Sequence, residues 1–181
     1  MNMDGTSQRE IAKSNTRVPT WSPDGNSLVF NTLIKGKQWL EKDSQRLETL
    51  DLQSGKRSVI ASSVDLNGAS WMTADTLIGG TIDSTNLLTL DMKNGKRTAL
   101  VSGLVLDWNN SPDRKYLYYT IGGVEPKAMR LRLADHKVEE IAALTELRRV
   151  FAPISAAPDG SPVFTRDIGT QEIYALSVRW P

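Results

Sequence analysis

A turn motif that returns about every 40 residues constrains this chain more than any other feature, because repetition at that period means one small unit used several times over. The motif has two recurring pieces. The first follows an aromatic or apolar stretch: Trp21-Ser-Pro-Asp-Gly25, Trp71-Met-Thr-Ala-Asp75, Trp108-Asn-Asn-Ser-Pro-Asp113 and Ala156-Ala-Pro-Asp-Gly160. Its aspartates, Asp24, Asp75, Asp113 and Asp159, follow one another at 51, 38 and 46 residues. The second piece is a hairpin: Leu50-Asp-Leu-Gln-Ser-Gly-Lys56, Leu90-Asp-Met-Lys-Asn-Gly-Lys96 and Leu131-Arg-Leu-Ala-Asp-His-Lys137.

Between the turns the runs are short and rich in strand formers. Ser27–Thr32, Thr76–Thr81, Lys115–Thr120 and Pro162–Thr165 each follow an Asp turn, and Leu88–Met92 and Met129–Leu133 then alternate with the period of two of a strand. Ser-Gly, Asn-Gly and Asp-His turns, which tolerate positive φ, lead into outer strands at Lys56–Ala61, Lys96–Val101 and Lys137–Ala142. One four-stranded unit per 40 residues is the size of a propeller blade. Only Lys35–Glu48 and Glu139–Arg149 keep a helical spacing. The first stands where its sister repeats have a short loop and accounts for the 51-residue interval. The second reads as an outer strand running into an inter-blade loop. At the ends, Met1–Ala12 looks like a hairpin tip and a lone outer strand, while Val150–Trp180 stops before an outer strand of its own. The first strand is therefore expected to complete the last blade, leaving no bare edge. The blades fall at about 17–62, 64–101, 104–143 and 150–181 plus 1–12, in one domain covering 1–181.

These residues resemble the TolB-like, WD40-like repeat named PD40 after its Pro-Asp pair, through Trp21-Ser-Pro-Asp-Gly25, Ser111-Pro-Asp113, Pro158-Asp-Gly160 and the opening Met1-Asn-Met-Asp-Gly5. Thr73-Ala-Asp75 departs from the pattern, lacking both Pro and Gly. The ending Arg166–Leu176 looks like the last blade of propellers that follow a DNA-binding or kinase domain in bacterial multidomain regulators. The resemblance implies a binding or sensing platform, and a periplasmic location is what the family suggests, although Met1–Ala12 is polar and has no signal-peptide core. Such propellers usually have six or seven blades. A closed ring of four, part of a longer propeller and half of a dimeric ring all remain open.

Composition limits the chemistry. Among 181 residues 22 are Lys or Arg and 21 are Asp or Glu, so no overall field draws nucleic acid. The absence of Cys removes thiol nucleophiles and disulfides, and a single His, His136, excludes a multi-histidine metal site. The longest charge-free apolar stretch, Thr98–Leu106, is far short of a membrane span. His136 falls at a hairpin tip, and no Gly-x-Ser-x-Gly elbow presents a nucleophile to it. The repeated aspartates are expected to accept hydrogen bonds from their own turns, since calcium would need about 6–8 converging oxygens. Gly36-Lys37, Gly55-Lys56 and Gly95-Lys96 lack the upstream glycine and following helix of a phosphate loop. Trp21, Trp71 and Trp108 read as wedges between adjacent blades. The separated arginines Arg148, Arg149, Arg166 and Arg179 read as solvated or ion-paired.

Taken together, the residues predict an all-β propeller of about four four-stranded blades that binds and does not catalyse. No cofactor, metal or catalytic residue is predicted. The expected partner is a protein segment, or a small ligand, at the loop-bearing face, with Lys35, Lys37, Trp39 and Lys42 of the insertion as its contact. A homodimer is one way to close the ring. The alternative is a hydrolase or lyase propeller with a cation in its channel.

Overall fold

In the computed structural model, residues 6, 10–11, 16–38, 41, 44–63, 65–145 and 153–164 are described. They form fourteen strands and one 3-10 turn, with no α-helix among them. Three antiparallel sheets have four strands each, in simple sequence order. Sheet 1 holds β1 (Thr16–Trp21), β2 (Ser27–Leu33), β3 (Gln45–Asp51) and β4 (Arg57–Val59). Sheet 2 holds β5 (Leu66–Trp71), β6 (Thr76–Thr81), β7 (Asn86–Asp91) and β8 (Arg97–Ser102). Sheet 3 holds β9 (Val105–Asn110), β10 (Tyr116–Ile121), β11 (Lys127–Arg132) and β12 (Val138–Ala143). A pair, β13 (Ile154–Ala156) and β14 (Pro162–Phe164), begins the fourth. Most of Met1–Ala12, the N-terminal segment expected to complete that sheet, lies outside the described residues, as does everything after Phe164.

The sheets stack face to face, and the core is three layers between them. Val29 and Leu47 of sheet 1 meet Leu66, Trp71, Leu77 and Leu90 of sheet 2. Ile78 and Leu87 on the far side of sheet 2 meet Leu117, Tyr119 and Leu131 of sheet 3. Tyr118 and Ala128 then meet Ile154 of the fourth. Each second strand is therefore apolar on both parities: Leu28 through Asn31, Leu77 through Gly80 and Leu117 through Thr120 are all buried. A strand covered on both faces reads as a continuous apolar run.

That same double burial misleads the reading of Lys35–Glu48 as one insertion. Gln45–Glu48 already belongs to β3, and the connection is residues 34–44. Leu47 faces sheet 2 while Leu50 joins Leu28 and Phe30 on the opposite face, so a three-residue apolar spacing that mimics a helix comes from a strand with two dry sides. Glu48, 4% exposed, is held there by Arg46 at 3.1 Å and Arg57 at 2.7 Å. Val138–Ala143 is an outer strand, as its sequence suggests.

Candidate binding site

The Pro-Asp turns are self-contained. In sheet 1, Asp24 Oδ1 accepts from Ser22 Oγ (2.6 Å) and Asn26 N (3.0 Å), and Ser27 N donates to Ser22 Oγ. Sheet 3 repeats this atom for atom with Asp113, Ser111, Lys115 and Tyr116. Asp159 accepts from Ser161 N at 2.9 Å. These hydrogen bonds hold the carboxyls of Asp24, Asp113 and Asp159 below the usual carboxylate range. Asp75, in the shorter turn of sheet 2, binds Lys93 Nζ at 2.7 Å instead. Among the described residues no three His, Cys, Asp or Glu side chains gather into a metal site. His136 is exposed at its hairpin tip with φ of 58°.

The tryptophans divide. Trp71 is 6% exposed, wedged between sheets 1 and 2. Trp21 is 59% exposed, because its partner across the ladder, Leu28, belongs to the face of sheet 1 turned away from sheet 2. Trp108 is not their counterpart. Trp21 pairs with Leu28 and Trp71 with Leu77, whereas the residue opposite Leu117 is Asn110. Asn110 bridges the joint at that level, donating to Ser70 Oγ at 2.7 Å. Trp108 stands two residues earlier and packs against the layer between sheets 2 and 3. Counting from the Pro-Asp turn, not from the indole, would have shown this in the sequence.

At the end of the strands opposite the Pro-Asp turns lies a cavity of about 420 Å³. Its walls come from the opening residues of three successive first strands: Arg17 and Val18 of β1, Asn67 and Gly68 of β5, and Asp107 and Trp108 of β9. Each of these strands breaks register there, between Arg17 and Thr20, between Leu66 and Ala69, and opposite Thr120–Ile121. A bulge re-aims the side chains beside it. Val18 takes φ of 51°, an unusual conformation for a β-branched residue. The dipeptides Val18-Pro19 and Asn67-Gly68 are the sequence marks of these bulges, since Pro and Gly inside a strand signal them.

Two neighbouring joints differ in one position beside the cavity. Asn31, fully buried on β2, reaches across to sheet 2: its Nδ2 donates to Leu66 O and its Oδ1 accepts from Gly68 N, both at 2.8 Å. The matching residue on β6, counted from the Leu28 and Leu77 ladder positions, is Gly80. Glycine has no side chain with which to hold sheet 3 there. Trp108 Nε1 instead lies 3.2 Å from where a Gly80 Cβ would stand, with Asn67 O at 3.5 Å. Asp107 is partly buried in the cavity wall. Burial pushes its carboxyl pKa up, opposed by hydrogen bonds from Ile154 N and Trp108 N.

Of the four contact residues expected from sequence, Lys35 and Lys37 are exposed in the 34–44 connection, which follows β2 and therefore opens at the same end of the sheets as the cavity. Gly36 (φ 82°) turns the chain between them. Trp39 and Lys42 lie outside the described residues. What the sequence reading missed is the cavity itself: Asn67, Gly80, Asp107 and the altered place of Trp108.

With that geometry in view, solved structures decide the fold. The chain matches TolB from Acinetobacter baumannii with a TM-score of 0.72 at 19% identity, over 93% of this chain and 42% of that one. The fold is that of a TolB-like β-propeller. An oligogalacturonate lyase from Vibrio parahaemolyticus matches at 0.66 with 12% identity, over 88% of this chain and 50% of that one. The structure of the nidogen–laminin complex matches at 0.62 with 11% identity, over 83% and 56%. The chain thus spans about half the length of these structures. No protein-family model and no curated protein matches it.

Proposed function

We propose that this propeller is a non-catalytic binding module. It engages a protein segment or a small ligand at the end of the sheets where the cavity and the 34–44 connection open together. One observation carries the reading: three successive first strands bulge into a single cavity whose volume lies in the range of ligand sites, roughly 300–1,000 Å³. Lys35 and Lys37, exposed on an eleven-residue connection beside short ones of four and five residues, add a second contact at the same end. A propeller solved in a protein complex, that of nidogen and laminin, supports such a role.

The test is peptide display on the full chain, followed by two variants. In one, residues 35–43 are replaced by a short Gly-containing turn, which leaves Ser44 and β3 in place. In the other, Asn67→Leu fills part of the cavity. Selected ligands are expected to lose binding to at least one variant that melts like the parent. If every enriched ligand binds both variants as tightly as the parent, this face is not the site.

A second reading has one observation in its favour. A half-buried carboxyl with a raised pKa in a cavity, Asp107, is the kind of group that serves as a general acid or base, and one structural neighbour is a lyase. A substrate panel with and without calcium separates the two readings. Turnover that is abolished by Asp107→Asn would replace the binding module with an enzyme.

A further inference from the structure

We infer that the cavity at the joint of sheets 2 and 3 is a receptor for a neutral polyhydroxylated ring, such as a monosaccharide, either free or terminal on a glycan. This deepens the binding reading above and rests on it. Where sheet 1 uses the Asn31 carboxamide to grip its neighbour, sheet 2 has Gly80, the Trp108 indole takes the place of the missing side chain, and the adjoining cavity is walled by Leu87, Val105, Leu106 and that indole.

Beside this apolar wall most of the polar groups are neutral amides and hydroxyls. Asn67 and Ser84 line the cavity, and the Asn67 carboxamide and the Ser84 hydroxyl have no hydrogen-bond partner among the described residues. Carboxamides and hydroxyls both donate and accept. The ligand groups that reciprocate all round a ring are hydroxyls, which also do both. An extended peptide backbone presents its donors and acceptors along two edges only.

Charge points the same way. The lining has one cation, Arg17, and one carboxyl, Asp107, so it offers no net field to a charged ligand. Arg17 has an interaction of its own and Asp107 accepts from Ile154 N, so neither is reserved for an ion, whose lost hydration would go largely unreplaced in a partly apolar cavity. A sugar ring instead sets its C–H face against apolar wall and its hydroxyls on the amides, the pattern of an apolar pocket with a few placed polar groups.

The experiment follows the Trp108 indole N–H signal in the 15N-labelled full chain, assigned with Trp108→Phe. Probes are glucose, galactose, N-acetylglucosamine, short neutral oligosaccharides, glucuronate, N-acetyl-phenylalaninamide and N-acetyl-lysinamide. A neutral sugar is expected to shift the signal saturably, and both Asn67→Leu and Gly80→Ala to weaken it at least tenfold in proteins that melt cooperatively. Binding by monosaccharides identifies the free sugar as ligand; binding only by oligosaccharides identifies a glycan end. If glucuronate or either amide binds more tightly than every neutral sugar, the ligand class is wrong while the binding site stands. If no probe moves the signal, and display also enriches nothing, both the ligand class and the binding module fall.

Discussion

Replacing Asn31 by alanine tests whether the sheets are locked to one another by hydrogen bonds as well as by apolar layers. The side chain is fully buried and satisfies two backbone groups of the neighbouring sheet, Leu66 C=O and Gly68 N–H, each at 2.8 Å. Asn31→Ala leaves both without a partner in a dry joint, at about 1–3 kcal/mol each. Relief of the asparagine's own burial offsets part of the loss, so the expected destabilisation is about 2–4 kcal/mol. For a chain of this length each kcal/mol moves the melting temperature by roughly 2–4 °C, so a drop of about 4–16 °C is expected. Urea denaturation gives the free energy directly, with an unchanged m-value showing that the same surface is exposed on unfolding. Asn109→Ala, exposed and held by a single long bond, serves as the control and should change stability by less than about 0.5 kcal/mol. A loss under about 1 kcal/mol for Asn31→Ala would refute the clamp.

Trp71→Ala should destabilise by about 3–5 kcal/mol, because a buried indole leaves a cavity between two sheets, whereas Trp21→Ala, from a side chain 59% exposed, should cost under about 1 kcal/mol; equal losses in denaturation would contradict the division of the tryptophans. The carboxyls of Asp24 and Asp113 are lowered in the folded state, so the stability they contribute is present above the unfolded-state pKa and disappears as pH falls through the folded-state values. Asp24→Asn and Asp113→Asn should therefore destabilise at neutral pH and converge on the parent in acid, read from melting temperature against pH. Asp107 behaves oppositely, since its raised pKa favours the protonated form and its contribution is lost as pH rises through that value. Asp107→Asn, which keeps an oxygen for Ile154 N, should match the parent in acid and gain on it toward neutral pH; a loss there would mean the ionised carboxylate is stabilised, not penalised.

Much of the architecture was legible in the chain because it depends on local rules. The Pro-Asp-Gly turns close on themselves through residues two and five apart, as Ser22, Asp24, Asn26 and Ser27 show, so their sequence specifies their shape wherever they stand. Arg114, with φ of 57°, does the work of Gly25 and Gly160 in the sister turns, which the spacing of Ser111, Pro112 and Asp113 implied even without a glycine. Hairpin turns at Gly55 and Gly95 fixed which strands pair, and the 40-residue period fixed how many strands each sheet has. The site was harder to read. Nothing in the order of residues tells that Asn31 will touch Gly68, 37 positions on, or that Gly80 and Trp108 will share a joint. Those pairs meet only because the sheets stack at one spacing with one register, and a slip of one residue turns a side chain to the opposite face. Repetition in the sequence determined the four-stranded sheets; their stacking decided that where one repeat has glycine in place of its neighbour's asparagine, an indole from the next sheet takes the space.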